Sequence, residues 1–131
     1  MKFEDLQFIF PDATLDTWHV HTNGGGWVEN TATVTDSAYV GPDAIVSGSA
    51  SVSEKASIFG IAAVSGNALV SGSSQVSGNA RVSGTAVVSE YAAVSGSSQV
   101  SGNAQVYGEA VVSERSLVFG DTVISGNEII D

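Results

Sequence analysis

Two histidines carry most of the chemistry this chain could offer. His19 and His21 stand two residues apart, with the glycine run Gly24–Gly26 and Trp27 just downstream. In an extended backbone, residues i and i+2 share a side, so the pair reads as a two-ligand start to a zinc site that Asp16 or Asp36 would complete. Thiolate ligands and disulfide staples are ruled out, because the chain has no cysteine. The plainer reading, and the one preferred, is that both rings pack or hydrogen-bond near the start of the fold. The glycines resemble a phosphate-cradling loop only in composition. They lack the strand–loop–helix setting and the Lys–Ser/Thr ending that give such loops their mechanics, and a tight turn explains them. No catalytic residue, metal or cofactor is assigned; His19, His21 and Trp27 stay as a secondary candidate ligand site.

Charge narrows the partners. Lys plus Arg is 4 against 14 Asp plus Glu in 131 residues, a net charge of −10. Binding a phosphate backbone takes a basic footprint, so nucleic acid is not expected as a partner. No long apolar run and no basic-then-apolar amino terminus occurs, so neither a membrane span nor a secretory signal is expected. The charge is segregated: residues 1–54 carry −7, residues 55–108 carry +1 and residues 109–131 carry −4. DNA mimicry would suit the total, but a mimic needs acids at duplex-like spacing. The long span from Ala56 to Ser89 contains none.

What must position these side chains is a repeat. From Val28 to Ile130 an aliphatic residue recurs every six positions without a miss. A small residue stands two positions before each, from Gly26 through Ala32 and Ala38 to Thr122, until Glu128 breaks the rule. Glycine most often follows two positions after. A period of six fits neither a helix nor one long strand, yet small–x–Val is a two-inward stretch of strand and Ser–Gly–x is turn chemistry. One hexad cannot bury its valine alone, so hexads must coil and stack. Residues 1–25 lie outside the period. Phe3, Leu6, Phe8, Ile9 and Phe10 form an apolar group, alternation from Leu15 to Val20 predicts a strand, and the whole reads as a cap over the first coil, with Trp18 and Trp27 closing the end of the core or Trp27, outward by parity, serving instead as a contact residue.

Units such as VSGNAR, VSGTAV and IFGIAA over residues 26–131 resemble the hexapeptide-repeat, left-handed parallel β-helix family. The resemblance implies an all-β triangular prism, three hexads per coil and just under six coils, with left-handed winding. The stretch HTNGGGWVENTATV is similar to the lead-in of such helices in phage-borne and enterobacterial proteins that carry acyltransferase names. Acyltransferases of the family place a histidine near an inserted loop at a trimer interface and bind an acyl-thioester cofactor. Here no loop interrupts the repeat and neither histidine lies in it, so an enzyme of that kind is the alternative reading. The γ-type carbonic anhydrases of this fold use three histidines, and this chain has two. Ice binding calls for a Thr–x–Thr pair in every coil, and Thr33–Val34–Thr35 is followed at the equivalent later positions by Ser51/Ser53 and Leu69/Ser71.

The preferred reading is a non-catalytic structural or protein-binding module, phage- or prophage-encoded, working in the host cytoplasm or on the virion. The partner is a protein, either a host factor or a second copy. Ala93, Val111 and Ile129 fall at one outward position, each three hexads after the last, so three hexads per coil would stack them into an apolar ladder. Such strips mark interfaces, and the resemblance points to a trimer, with a dimer as the other solution. Tyr91, Tyr107, Glu114, Asp121 and Glu128 complete the candidate interface. The acids near the carboxyl end read as protection of an open strand edge. The near-identical blocks 70–82 and 94–106 are offset by four hexads, not a multiple of three, and are expected on different faces.

Overall fold

The computed structural model describes residues 1–131. After helix α1 (Phe3–Ile9), strand β1 (Trp18–Val20) and strand β2 (Trp27–Glu29), the chain consists of two-residue strands, each ending on the periodic aliphatic. Successive strands fall on three sheets in turn. The first face runs from β2 through the strands ending at Val46, Val64, Val82 and Val100 to that ending at Val118. The second carries those from Val34 to Ile124, and the third those from Val40 to Ile130. Every pairing within the repeat is parallel and joins residues three hexads apart, as at Val76↔Val94 and Val94↔Val112. The result is a three-sided β-solenoid of about six coils. Blocks 70–82 and 94–106 begin on the second and third faces, respectively.

Burial follows the period. The aliphatic series is buried throughout except at Val34 and Ile130, the two mouths of the prism, and it shares one core with the small residues two positions earlier. Where serine takes that small position it bonds locally. Ser74, Ser98 and the half-buried Ser116 each donate to the carbonyl three residues back at 2.7 Å, which at the fully buried Ser74 and Ser98 satisfies the hydroxyl that burial would otherwise orphan. The turns place glycine at φ near +65°, and at Gly84 an added Cβ would stand 2.8 Å from the Gly102 nitrogen one coil on. Glu54, Glu90 and Glu114 take the same left-handed conformation with a side chain, at a cost of roughly 1–2 kcal/mol each.

The segment ahead of the repeat differs from expectation in two ways. The apolar group folds as helix α1 as far as Ile9, with Phe10 just past its end, and only Trp18–Val20 of the predicted Leu15–Val20 strand is extended. Trp18 and Trp27 do not close the axial core. Trp27 sits at an outward position on the first face, where it joins Leu6, Ala13, Trp18 and Ile45 in a second, separate cluster beneath α1. The Phe3 and Trp27 rings lie 5.5 Å apart and those of Phe10 and Trp18 4.8 Å, while the Trp27 indole donates to the Met1 carbonyl at 2.9 Å. The first coil is instead edged by β1, antiparallel to β2, and by residues 23–26, where Val40 donates to the Asn23 carbonyl and Gly26 to that of Val40.

At the other mouth, Glu128 occupies the small inward register, yet its side chain is exposed. Its Oε1 accepts the Ser125 N–H at 3.1 Å. In the two coils before, the equivalent Tyr107 and Ser89 donate to carbonyls of the next coil, Ile124 and Val106. The Glu128 carboxylate thus replaces the acceptor that a further coil would supply.

Candidate functional site

The parallel register assembles the apolar ladder. On the third face Tyr39, Ser57, Gln75, Ala93, Val111 and Ile129 are consecutive partners across neighbouring strands. Their side chains point outward because their neighbours Val94, Val112 and Ile130 point to the axis. Strands stand about 4.8 Å apart, so Ala93, Val111 and Ile129 form an unbroken apolar strip about 10 Å long. Ala93 and Val111 are half-buried among their neighbours, whereas Ile129 is 67% exposed.

The flanks of the strip differ. At the corner leading onto this face stand Tyr91, 69% exposed, and the half-buried Tyr107. Their corner is held by Glu90, whose carboxylate accepts the Gly108 N–H at 2.8 Å. Glu114 lies at the corner leaving the face, in the left-handed turn after Val112. The chain's one ion pair joins the Met1 amino group to Asp43 at 2.9 Å, so Glu114 stands free. Asp121 is elsewhere, at the corner between the first and second faces, where it accepts from the Asn103 amide at 3.3 Å. Seven of the eight sequence-derived interface residues therefore border one face near one end, and Asp121 does not.

His19, His21 and Trp27 sit at the opposite end and face different partners. His19 is exposed, with Nδ1 2.6 Å from the Asn30 side-chain oxygen; His21 is buried, with Nε2 2.8 Å from the Ala38 carbonyl. Because β1 stops at Val20, strand alternation does not carry through to His21, and the rings do not share a side as the i, i+2 spacing predicts. No group of three or more His, Asp or Glu side chains is placed to hold a metal ion. Trp27 is covered by α1.

Two features escaped the sequence reading. One is α1, although Phe3, Leu6 and Phe10 follow the i, i+3, i+7 spacing of a helix face. The other is a groove of about 640 Å³ where the end of α1 overhangs the first face, with Arg81 in its lining. Its signal was the lone arginine in the acid-free span.

Residues 62–77, 74–90 and 98–114 match the model of the YdcK Beta solenoid repeat, together well under half of the chain. No curated protein and no solved structure matches. The second and third matches start two and six hexads after the first, and the second is no whole number of coils away, so they track the hexad rather than the coil. They cover the most regular part of the prism. By period, register and repeat match together, the chain is a β-solenoid repeat protein with the three-sided form of a β-helix.

Proposed function

We propose that this solenoid is a non-catalytic module that binds protein through its third face, with a second copy as the simplest partner. The observation that carries the reading is the in-register strip Ala93–Val111–Ile129 beside Tyr91 and Tyr107. An apolar strip rimmed by polar groups gains by being covered, and aromatic residues at its edge suit an interface. Closed symmetry is the usual outcome when a face meets its own copy, in a trimer or a dimer. A setting in phage or prophage, on the virion or bound to a host factor in the cytoplasm, is the finer form of this reading. It draws on the similarity of the HTNGGGWVENTATV stretch.

Light scattering coupled to size exclusion tests it. Wild type is expected as an oligomer of two or three chains, and Val111→Lys as monomer, with unchanged circular dichroism. A wild type that stays monomeric at hundreds of micromolar and captures no partner that Val111→Lys fails to capture would overturn the reading.

A further inference from the structure

The first face carries a second surface, unlike the third in chemistry. Its outward column runs Trp27, Ile45, Ala63, Arg81, Gln99 and Leu117 in register. Trp27 and Ile45 lie under α1, and beyond them the end of the helix overhangs the sheet. Ile9, Phe10 and Ile61 wall the resulting groove; Ala63, Arg81 and Gln99 floor it, and Ser65 and Ser83 stand along its corner. Ile9 is 54% and Ile61 62% exposed, so the wall is an uncovered apolar surface.

Arg81 makes this groove specific. It has no ion pair and no side-chain hydrogen bond within the chain, and it lies in the span from Ala56 to Ser89 that contains no acid. The other charged side chain in the lining, Asp43, is held by the Met1 amino group at 2.9 Å. A chain of net charge −10 thus presents, beside an apolar wall, one unneutralised guanidinium. That fork suits a carboxylate, which it can bind through two parallel hydrogen bonds.

We propose that this groove docks an extended segment of a protein partner that carries an apolar residue near a carboxylate. The apolar residue meets the wall of Ile9, Phe10 and Ile61, and the carboxylate meets Arg81 on the floor. Residues an odd number of positions apart point to opposite sides of an extended chain, so an i, i+3 pair can reach the overhang and the floor together. The hydroxyls of Ser65 and Ser83 and the Gln99 amide meet the polar backbone of such a segment. A fatty-acid chain would leave those groups unpaired, and this argues for a peptide.

The test uses the whole chain and blocked peptides, acetyl-Gly-Phe-Ser-Ser-Asp-Gly-amide and its Asp-to-Asn counterpart. Both tryptophans lie in the cluster under α1, so their fluorescence reports occupancy, and amide chemical shifts of Ala63, Arg81 and Gln99 locate it. The Asp peptide is expected to bind about tenfold more tightly than the Asn peptide, a difference that Arg81→Gln abolishes. Arg81→Glu should prefer the same peptide with Lys in place of Asp, and Ile61→Ser should weaken every peptide equally. Arg81 and Ile61 are exposed, so unchanged circular dichroism should certify both folds. Equal affinity for Asp and Asn peptides overturns the proposal. So does dodecanoate shifting these amides when no peptide does, or a change in oligomeric mass on Arg81→Glu that shows a second copy filling the groove.

Discussion

Gln75 and Val76 are neighbours in one two-residue strand, and a carboxylate placed at each should have opposite consequences. Val76 is fully buried, flanked on its axis by Ile58 and Val94. Gln75 is exposed between Ser57 and Ala93. Trimming Val76 to Ala removes two methyl groups, about 1.6 kcal/mol of transfer free energy, and the cavity raises the total to about 2–3 kcal/mol. In a chain of this size that is roughly 10 °C in melting temperature. Val76→Asp buries a carboxylate among side chains that offer no donor, and several kcal/mol of desolvation rivals the whole stability of a domain, about 5–15 kcal/mol. Gln75→Asp loses some strand propensity and stays within about 1 kcal/mol of wild type. Thermal melts followed by circular dichroism at the β-sheet minimum should rank the variants Gln75→Asp, Val76→Ala, Val76→Asp, the last without a cooperative transition at any temperature. If Val76→Asp melts within about 2 °C of Gln75→Asp, the inward and outward assignment of the repeat is wrong.

Other perturbations probe the departures from the repeat. Glu54→Gly relieves a left-handed residue and should raise the unfolding free energy by about 1 kcal/mol in urea titrations. Glu90→Gly should give less, because the Gly108 N–H loses its carboxylate acceptor; equal gains would mean that hydrogen bond contributes nothing. Trp27→Ala removes the floor under α1, so hydrogen exchange should show the α1 amides unprotected while those of the Val76–Val112 coils stay slow. Uniform loss of protection would show the two clusters to be one cooperative unit. For the chain as it runs from Met1 to Asp131, replacing Glu114, Asp121, Glu128 and Asp131 with Ser should yield end-to-end filaments visible by electron microscopy. Sedimentation identical to wild type at millimolar concentration would remove charge as the guard of that edge.

The repeat was legible because each hexad states the same local choice: small inward residue, outward residue, valine, then a turn that favours glycine. Coils of three hexads then settle which outward residues meet, so the sequence alone aligns Ala93, Val111 and Ile129. The segment before Trp27 obeys no period, and there the reading failed where two patterns competed. Phe3, Leu6 and Phe10 fit a helix, but the cluster Phe8–Ile9–Phe10 looks merely apolar, and Phe8 is in fact 92% exposed. The histidines misled for a related reason: spacing of two implies a shared side only while the strand lasts, and β1 ends between them.

A regular solenoid is uninformative about function in proportion to its regularity. Val, Ala, Ser and Gly at repeated positions fix the prism, and any hexad could replace another at the same inward demand. Selectivity must then lie in outward residues that the core does not dictate. On the third face those are Tyr91, Tyr107 and the strip they border; on the first, Arg81 under the overhang of α1. The two surfaces differ in sign as well as shape, since Glu114 borders the strip, whereas Arg81 stands in the span without acids. A single partner surface cannot complement both, so the strip and the groove should respond independently. Val111→Lys should leave peptide affinity unchanged, and Arg81→Gln should leave oligomeric mass unchanged. Cross-sensitivity in either direction would mean that one assembly spans both faces, and the two sites would have to be treated as one.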